Sequence, residues 1–216
     1  MVIAIDGPAG AGKSTVARRL AGELGFTYLD SGAMYRCVAL VALSRGAPLD
    51  DAEQMGAVAR SLQIGFEDGQ VLLGGRDVAE AIRERRVSEA ASRVSVHAPV
   101  RAAMVERQRE LIAAGRYVAE GRDIGTVVSP DAPLKVFLTA TAEERARRRA
   151  AQSGEPEAEV LAAQRERDGR DIARKHGALR PAEDAVELDT TGLGIEEVVR
   201  RVAELARQRG LVSDGG

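Results

Sequence analysis

A glycine-rich octapeptide, Gly7-Pro8-Ala9-Gly10-Ala11-Gly12-Lys13-Ser14, fits the pattern GxxxxGK(S/T) and directly follows the apolar run Val2-Ile3-Ala4-Ile5. In that pattern the glycines let backbone N–H groups converge on phosphates, the lysine adds a compact positive charge, and the serine hydroxyl can reach Mg²⁺. Val16, Leu20 and Leu24 then recur at helical spacing, so the loop opens a helix whose N-terminal dipole also favours an anion. A buried strand, a loop and a helix in register separate this motif from a chance glycine turn. The chemistry they imply is capture of a nucleotide polyphosphate.

Arginines are the second chemical resource. Of 31 basic residues only Lys13, Lys135 and Lys175 are lysines, which leaves 28 arginines. The planar guanidinium suits bidentate contact with phosphate and carboxylate, although codon bias accounts for part of the excess. The net charge of −2 gives no reason to expect nucleic-acid binding, and 3% aromatics with no tryptophan leave little for a base-stacking platform. Cys37 has no partner for an internal disulfide and no Cys or His cluster around it, so it reads as a small core-facing helix residue. His97 and His176 read as surface or loop residues.

With 216 residues the chain can bury one substantial core. No stretch approaches the roughly 18 apolar residues of a membrane span, and no signal peptide opens it, so a cytoplasmic location is expected. Apolar runs at 2–5, 117–119, 134–138 and 185–188 predict short buried strands, with Thr27-Tyr28-Leu29 as a fifth. Helices are predicted near 13–24, 33–45, 52–60, 99–113, 142–152, 157–174 and 195–208. The alternation argues for a parallel sheet flanked by helices, an α/β fold of the phosphate-loop type. The segment 62–78 breaks that rhythm: two apolar arms around Asp68-Gly69 predict a β-hairpin outside the main sheet. The triplet Gly-Arg-Asp recurs at 75–77, 121–123 and 169–171, but its flanks differ, so no internal repeat is assigned. The tail Ser213-Asp214-Gly215-Gly216 is expected to fray.

A phosphate loop alone does not name a reaction. A guanine-nucleotide switch would use Asp189-Thr190-Thr191-Gly192 as its DxxG element, but no NKxD follows in the last 27 residues. An adaptor that keeps the loop without turnover fits poorly with arginines and acids gathered at other turns. Those turns are Asp30-Ser31-Gly32-Ala33-Met34-Tyr35-Arg36, the stretch Ala119-Glu120-Gly121-Arg122-Asp123-Ile124-Gly125-Thr126-Val127-Val128, and Glu166-Arg167-Asp168-Gly169-Arg170-Asp171. Together with the loop, in this order and spacing, the chain resembles bacterial cytidylate kinases over nearly its whole length. Adenylate kinases share the loop but lack these turns, and a shikimate kinase would carry Asp-x-Asp where this chain has Asp30-Ser31-Gly32.

The resemblance implies transfer of the ATP γ-phosphoryl group to CMP, and also dCMP, with Mg²⁺; the alternative is a kinase preferring UMP or AMP. It implies a single domain with core segments 1–30, 98–140 and 180–209. Residues 31–97 would form a nucleoside-monophosphate lobe with a hairpin insert at about 62–78, and 141–175 a lid. Gly7, Pro8, Ala9, Gly10, Ala11, Gly12, Lys13, Ser14 and Thr15 would hold ATP, with Arg149. Lys13, Arg122, Arg145, Arg148 and Arg174 would carry the transfer, the arginines offsetting repulsion between two polyanions. Read without the resemblance, 141–149 is a solvated, arginine-rich helix in which Glu144 and Arg148 form an ordinary i, i+4 pair.

For the acceptor the resemblance implies Ser31, Arg36, Ser92, Arg101, Arg122, Asp123, Arg167, Asp171 and Arg174. Cytosine offers an amino donor where uracil offers a carbonyl, so an acceptor such as Asp123 or Ser92 discriminates between them, with Arg101 donating to N3 and the ring carbonyl. Asp171 would accept from sugar hydroxyls; alternatively it pairs with Arg167 or Lys175, as Asp123 could pair with Arg122 or Arg101. Ser14 is the expected Mg²⁺ contact, with Asp30 acting through water and Asp6 as the other candidate carboxylate; alternatively Asp6 braces the loop backbone. No coiled coil or exposed apolar stripe argues for a dimer, so a monomer is expected.

Overall fold

The computed structural model describes residues 1–67 and 70–212. The Asp68-Gly69 turn and the tail Ser213 to Gly216 lie outside the described residues. The chain divides into two compact units, residues 1–29 with 112–216, and residues 30–111.

The first unit is built on the strands β1 (Val2–Asp6), β2 (Thr27–Asp30), β6 (Tyr117–Gly121), β7 (Leu134–Thr139) and β8 (Val186–Asp189). Their order is β2-β6-β1-β7-β8, and β1 pairs in parallel with both β6 and β7. A parallel sheet is covered on its faces, and β1 is buried at all five positions, which is why its sequence is a continuous apolar run rather than an alternating one. Helices α1 (Lys13–Leu24) and α8 (Ile195–Gln208) close the core, in which Ile3, Ile5, Val16, Leu20, Val136, Leu138 and Val202 are at most 1% exposed. Each such Ile, Leu or Val contributes about 1.5–3 kcal/mol by leaving water. The chain leaves β1 between strands that continue in opposite directions across the sheet, the place where open α/β sheets bind ligands.

Also in this unit are α6 (Ala142–Ser153) and α7 (Glu157–Ala173), which pack on each other. Thr141 caps α6 by accepting from Glu144 N–H, and Gly154 ends it with φ +72°. The sequence run Ile124–Val128, β-branched and strand-like, is instead a π-helical turn.

The second unit holds α2 (Ser31–Ser44), α3 (Ala52–Ser61), α4 (Arg85–Val94) and most of α5 (Ala98–Ala113), with a short 3₁₀ turn at Ala81–Arg83. Residues 98–111, which the sequence groups with the core, belong to this unit. The expected hairpin is a separate three-stranded antiparallel sheet, β3 (Ile64–Glu67), β4 (Gln70–Leu73) and β5 (Arg76–Asp77). Helix α4 went unpredicted: its Arg-Glu-Arg-Arg entry hides Val87, Ala90, Ala91 and Val94, which recur at i, i+3, i+4, i+7 and are all buried. Cys37 is fully buried on α2, and burial pushes its thiol up to about 12, as suits an inert core residue. The three Gly-Arg-Asp triplets fall on β5, across the end of β6 and inside α7, which agrees with there being no repeat.

Candidate active site

The loop after β1 is shaped by backbone that only glycine tolerates. Gly7 has φ +146°, and a Cβ there would collide with the Leu138 carbonyl of β7. Gly12 caps α1 at φ +88°, and the first turn of that helix carries no acid, so its dipole is free for an anion. Lys13 is 5% exposed and donates from Nζ to the Pro8 carbonyl at 2.7 Å. Burial, then Arg122 and Arg167, drive its ammonium down to about 7, against the pull of Glu120 and Asp6. Ser14 and Thr15 are exposed at the helix start.

Helices α6 and α7 reach this loop through one ion pair. Arg145 Nη1 donates to Asp168 Oδ2 at 2.6 Å and to the Ala9 carbonyl at 2.9 Å, while Asp168 Oδ1 accepts from Ala9 N–H at 3.4 Å. Gln164 Nε2 donates to the Arg145 carbonyl, and a Cβ on Gly10 would stand 2.8 Å from that amide. The expected common face of Arg145, Arg148 and Arg149 is thereby split. Arg145 turns inward to the loop; Arg148 pairs with Glu144 at 2.8 Å and donates to Thr190 Oγ1 and to the Thr190 carbonyl; Arg149 is exposed.

A second cluster is centred on Asp171, whose side chain is 1% exposed. It accepts from Arg122 Nε at 2.8 Å and from Arg174. Burial works against its charge, but Arg122, Arg174 and Arg167 outweigh that and hold the carboxyl below its ordinary range. Arg122 and Arg174 are hydrogen-bonded to it, and Arg167 acts on it through its charge. Arg122 is kept charged by Asp171, Glu120 and Asp168 against its own burial. Asp123 is 5% exposed beside this cluster.

The remaining expected residues lie in the second unit. Asp30 caps α2, accepting from Ala33 N–H at 2.8 Å through Oδ1 and from Arg36 at 2.7 Å through Oδ2. Ser31 is buried. Ser92 on α4 is 3% exposed, and its Oγ has no hydrogen-bond partner among the described residues. A buried hydroxyl left unsatisfied costs about 1–3 kcal/mol unless a ligand pairs with it. Arg101 on α5 is 4% exposed and lies 5.7 Å from the centre of the Tyr35 ring.

With these groups placed, comparison with known proteins identifies the family. The cytidylate kinase family model matches residues 3–208. The chain belongs to the cytidylate kinase family. It is 48% identical to a cytidylate kinase of Stutzerimonas stutzeri, across 97% of this chain and 96% of that one. A cytidylate kinase of Carboxydothermus hydrogenoformans is 50% identical, across 95% and 96%. Among solved structures, an uncharacterized protein from Eubacterium ventriosum superposes with a TM-score of 0.56 at 12% identity, over 96% of this chain and 98% of that one. A gluconokinase from Sinorhizobium meliloti gives 0.50 at 20% identity, over 97% and 93%. Those two likenesses concern the fold alone, a phosphate-loop NTPase fold with a parallel sheet flanked by helices.

Within the cytidylate kinase framework, the sequence assigns no role to Asp168 or Glu120 and a different one to Asp6. Asp168 bonds both Arg145 and the loop. Glu120 is 5% exposed and accepts from the Tyr28 hydroxyl at 2.7 Å. Asp6 accepts from the amides of Ile124 and Gly125, not from the loop it precedes. Pairings 92 to 159 residues apart leave no local pattern to read. Among the described residues no group of three or more His, Cys, Asp or Glu side chains is gathered to hold an ion. The exposed Ser14 hydroxyl at the start of α1 is an oxygen donor of the kind Mg²⁺ takes.

Proposed function

We propose that this cytidylate kinase family member transfers the γ-phosphoryl group of ATP to CMP, accepts dCMP as well, and takes its Mg²⁺ in with the nucleotide. The observation that carries this reading is the loop geometry: Gly7, Gly10 and Gly12 at positive φ lead the chain into the head of α1, whose first turn carries no acid, with Lys13 buried there and Arg122 and Arg167 acting on it. A polyphosphate bound there would set its negative charge against that cationic group. The backbone N–H groups from Gly7 to Ser14 would cradle the donor phosphates, and Ser14 would meet Mg²⁺, which disperses charge on them when bound.

Phosphoryl transfer needs alignment and charge dispersal more than covalent help. The acceptor is a phosphate monoester, mostly dianionic at neutral pH, so no general base is called for. Arg122 and Arg174 would offset repulsion between acceptor and donor, with Asp171 fixing their planes; Arg36 and Arg167 would add to the acceptor phosphate's field. Ser31 would line the acceptor pocket and Asp171's remaining lone pairs could take sugar hydroxyls. Ser92 and Asp123 would accept from the cytosine amino group and Arg101 would donate to N3 and the carbonyl. Arg145, tied to Ala9, would hold α6 and α7 over the loop and limit entry of water, with Arg148 and Arg149 on the donor side. Among the described residues no helix is long and apolar enough to cross a membrane. A monomer in the cytoplasm completes the proposal.

The test is ADP release with Mg-ATP against CMP, dCMP, UMP, AMP and shikimate. Uracil would set an acceptor against acceptors, at about 1–3 kcal/mol per unpaired group. Accordingly kcat/KM for CMP should exceed that for UMP by roughly 10-fold or more. Equal or greater turnover on UMP overturns the base-recognition argument.

A further inference from the structure

Asp6 is the last residue of β1, one peptide bond before the phosphate loop, yet neither of its hydrogen bonds goes to that loop. Oδ1 accepts from Ile124 N–H and Oδ2 from Gly125 N–H, each at 2.8 Å. These are the first amides of the π-helical turn that follows Arg122 and Asp123 directly. The turn's own cap residue, Asp123, makes no side-chain capping bond, so Asp6 performs that task from a strand 118 residues away. The approach is close: a Cβ on Gly125 would stand 3.1 Å from Lys135 Cδ and 3.4 Å from Asp6 Oδ2. Asp6 is 6% exposed, and the charged groups acting on it are Asp123 on the turn side and Lys13 on the loop side.

Here the two N–H donors go to different oxygens of Asp6, so an amide in the same rotamer would set its NH₂ against one of them. The burial this demands has a cost, seen in an Asp6 carboxyl pushed up to about 6 by desolvation despite both backbone bonds. A loop brace would not need it.

We infer that Asp6 is a positioning residue for the transfer: it sets Arg122 and Asp123 at a fixed offset from the Lys13 loop, joining donor to acceptor machinery through one side chain. This rests on the phosphoryl transfer proposed above. A displacement of about 1 Å in aligned groups can cost on the order of 100-fold in rate. Losing the carboxylate therefore affects the acceptor more than ATP.

The experiment compares full-length wild type, Asp6→Asn and Gly125→Ala, with steady-state KM for ATP and CMP, kcat and thermal melting on each. Asp6→Asn presents one acceptor and one NH₂ to two N–H groups; Gly125→Ala crowds the same turn against the Lys135 side chain and brings a methyl group up to Asp6 Oδ2. Both should raise KM for CMP by about 10-fold and lower kcat by roughly 10- to 100-fold, leaving KM for ATP within about twofold. A folded Asp6→Asn with unchanged CMP parameters, or with only its KM for ATP altered, overturns the inference. Should Asp6→Asn not fold, Gly125→Ala decides by the same criterion. Wild type that fails to phosphorylate CMP overturns the proposed function and this inference with it, whereas an active wild type with unaltered variants defeats the positioning role alone.

Discussion

Two carboxylates in this chain sit in the same local pattern and behave differently. Asp171 on α7 pairs with Arg174 three residues on, and Glu197 on α8 pairs with Arg200 at the same spacing. Asp171 is 1% exposed and takes Arg122 from the far side of β6 as a second partner. Glu197 is 34% exposed and takes Arg201 from its own helix, while its arginines reach into solvent. Both carboxyls lie below their ordinary range, for different reasons. At Glu197 hydrogen bonds from Arg200 and Arg201 suffice; at Asp171 burial opposes the charge and three arginines must outweigh it. Spacing identifies a pair, and burial decides whether it is a surface ornament or a fixed part of a site.

The sharpest way to break that distinction is Asp171→Asn. It takes from the buried Arg122 and Arg174 the carboxylate they share, for which about 3–5 kcal/mol of stability is the expected loss. With both guanidiniums free to turn, kcat/KM for CMP should fall by roughly 100-fold or more. Urea titration and steady-state kinetics read the two effects. A variant with wild-type stability and rate would mean that Asp171 is no more consequential than Glu197.

The contrast also shows what the sequence could and could not reveal. The loop, the five strands of the main sheet and seven helices were legible because local periodicity and glycine chemistry dictate them: α1 and α8 match their predicted ranges residue for residue. Helix α4 was missed although its apolar spacing was present, because four charged residues mask its start. The turn at Ile124–Val128 was unreadable in principle. Ile-Gly-Thr-Val-Val favours a strand, and the two amides that open the turn bond instead to Asp6, distant in sequence. Among the site residues, Arg122, Asp171 and Arg174 are brought into one cluster within the first unit. The placing of Arg145 and Arg148 in separate networks could not be deduced from i, i+3, i+4 spacing. That spacing fixes a helix face but not which neighbour covers each part of it.

A middle-sized effect follows from titration. Lys13 has a folded value near 7, lowered by burial first and by Arg122 and Arg167 next, against 10.5 as an ordinary lysine. Between those values the unfolded chain holds a proton that the folded chain has released, so stability of the nucleotide-free protein rises as pH climbs from about 7 toward 10.5. Asp6 works in another window. Its carboxyl is raised to about 6, so its contribution is complete below 3.8 and is lost as pH rises through 6. Asp171, held low, stays ionised above these windows and adds nothing to the slope. The melting temperature without nucleotide should therefore increase between pH 7 and 9. Bound phosphates would hold Lys13 charged, so ATP binding at pH 8 should take up as much as about one proton, measurable by calorimetry in buffers of different ionisation enthalpy. A flat melting profile with no proton uptake would place Lys13 among the ordinary solvated cations.

The smallest effect belongs to the other half of the comparison. Glu197→Gln keeps the shape of the side chain, the helix and the apolar face on which Val198 and Val202 pack, and removes only the charge that Arg200 and Arg201 share. Those guanidiniums are already wetted, so water and salt replace the lost partner without a buried charge being created. Melting temperature and kcat/KM should both match wild type within error at moderate ionic strength. A measurable loss of activity would show that α8 transmits strain to the β7–β8 edge, and spacing alone would then have been enough to identify a functional pair.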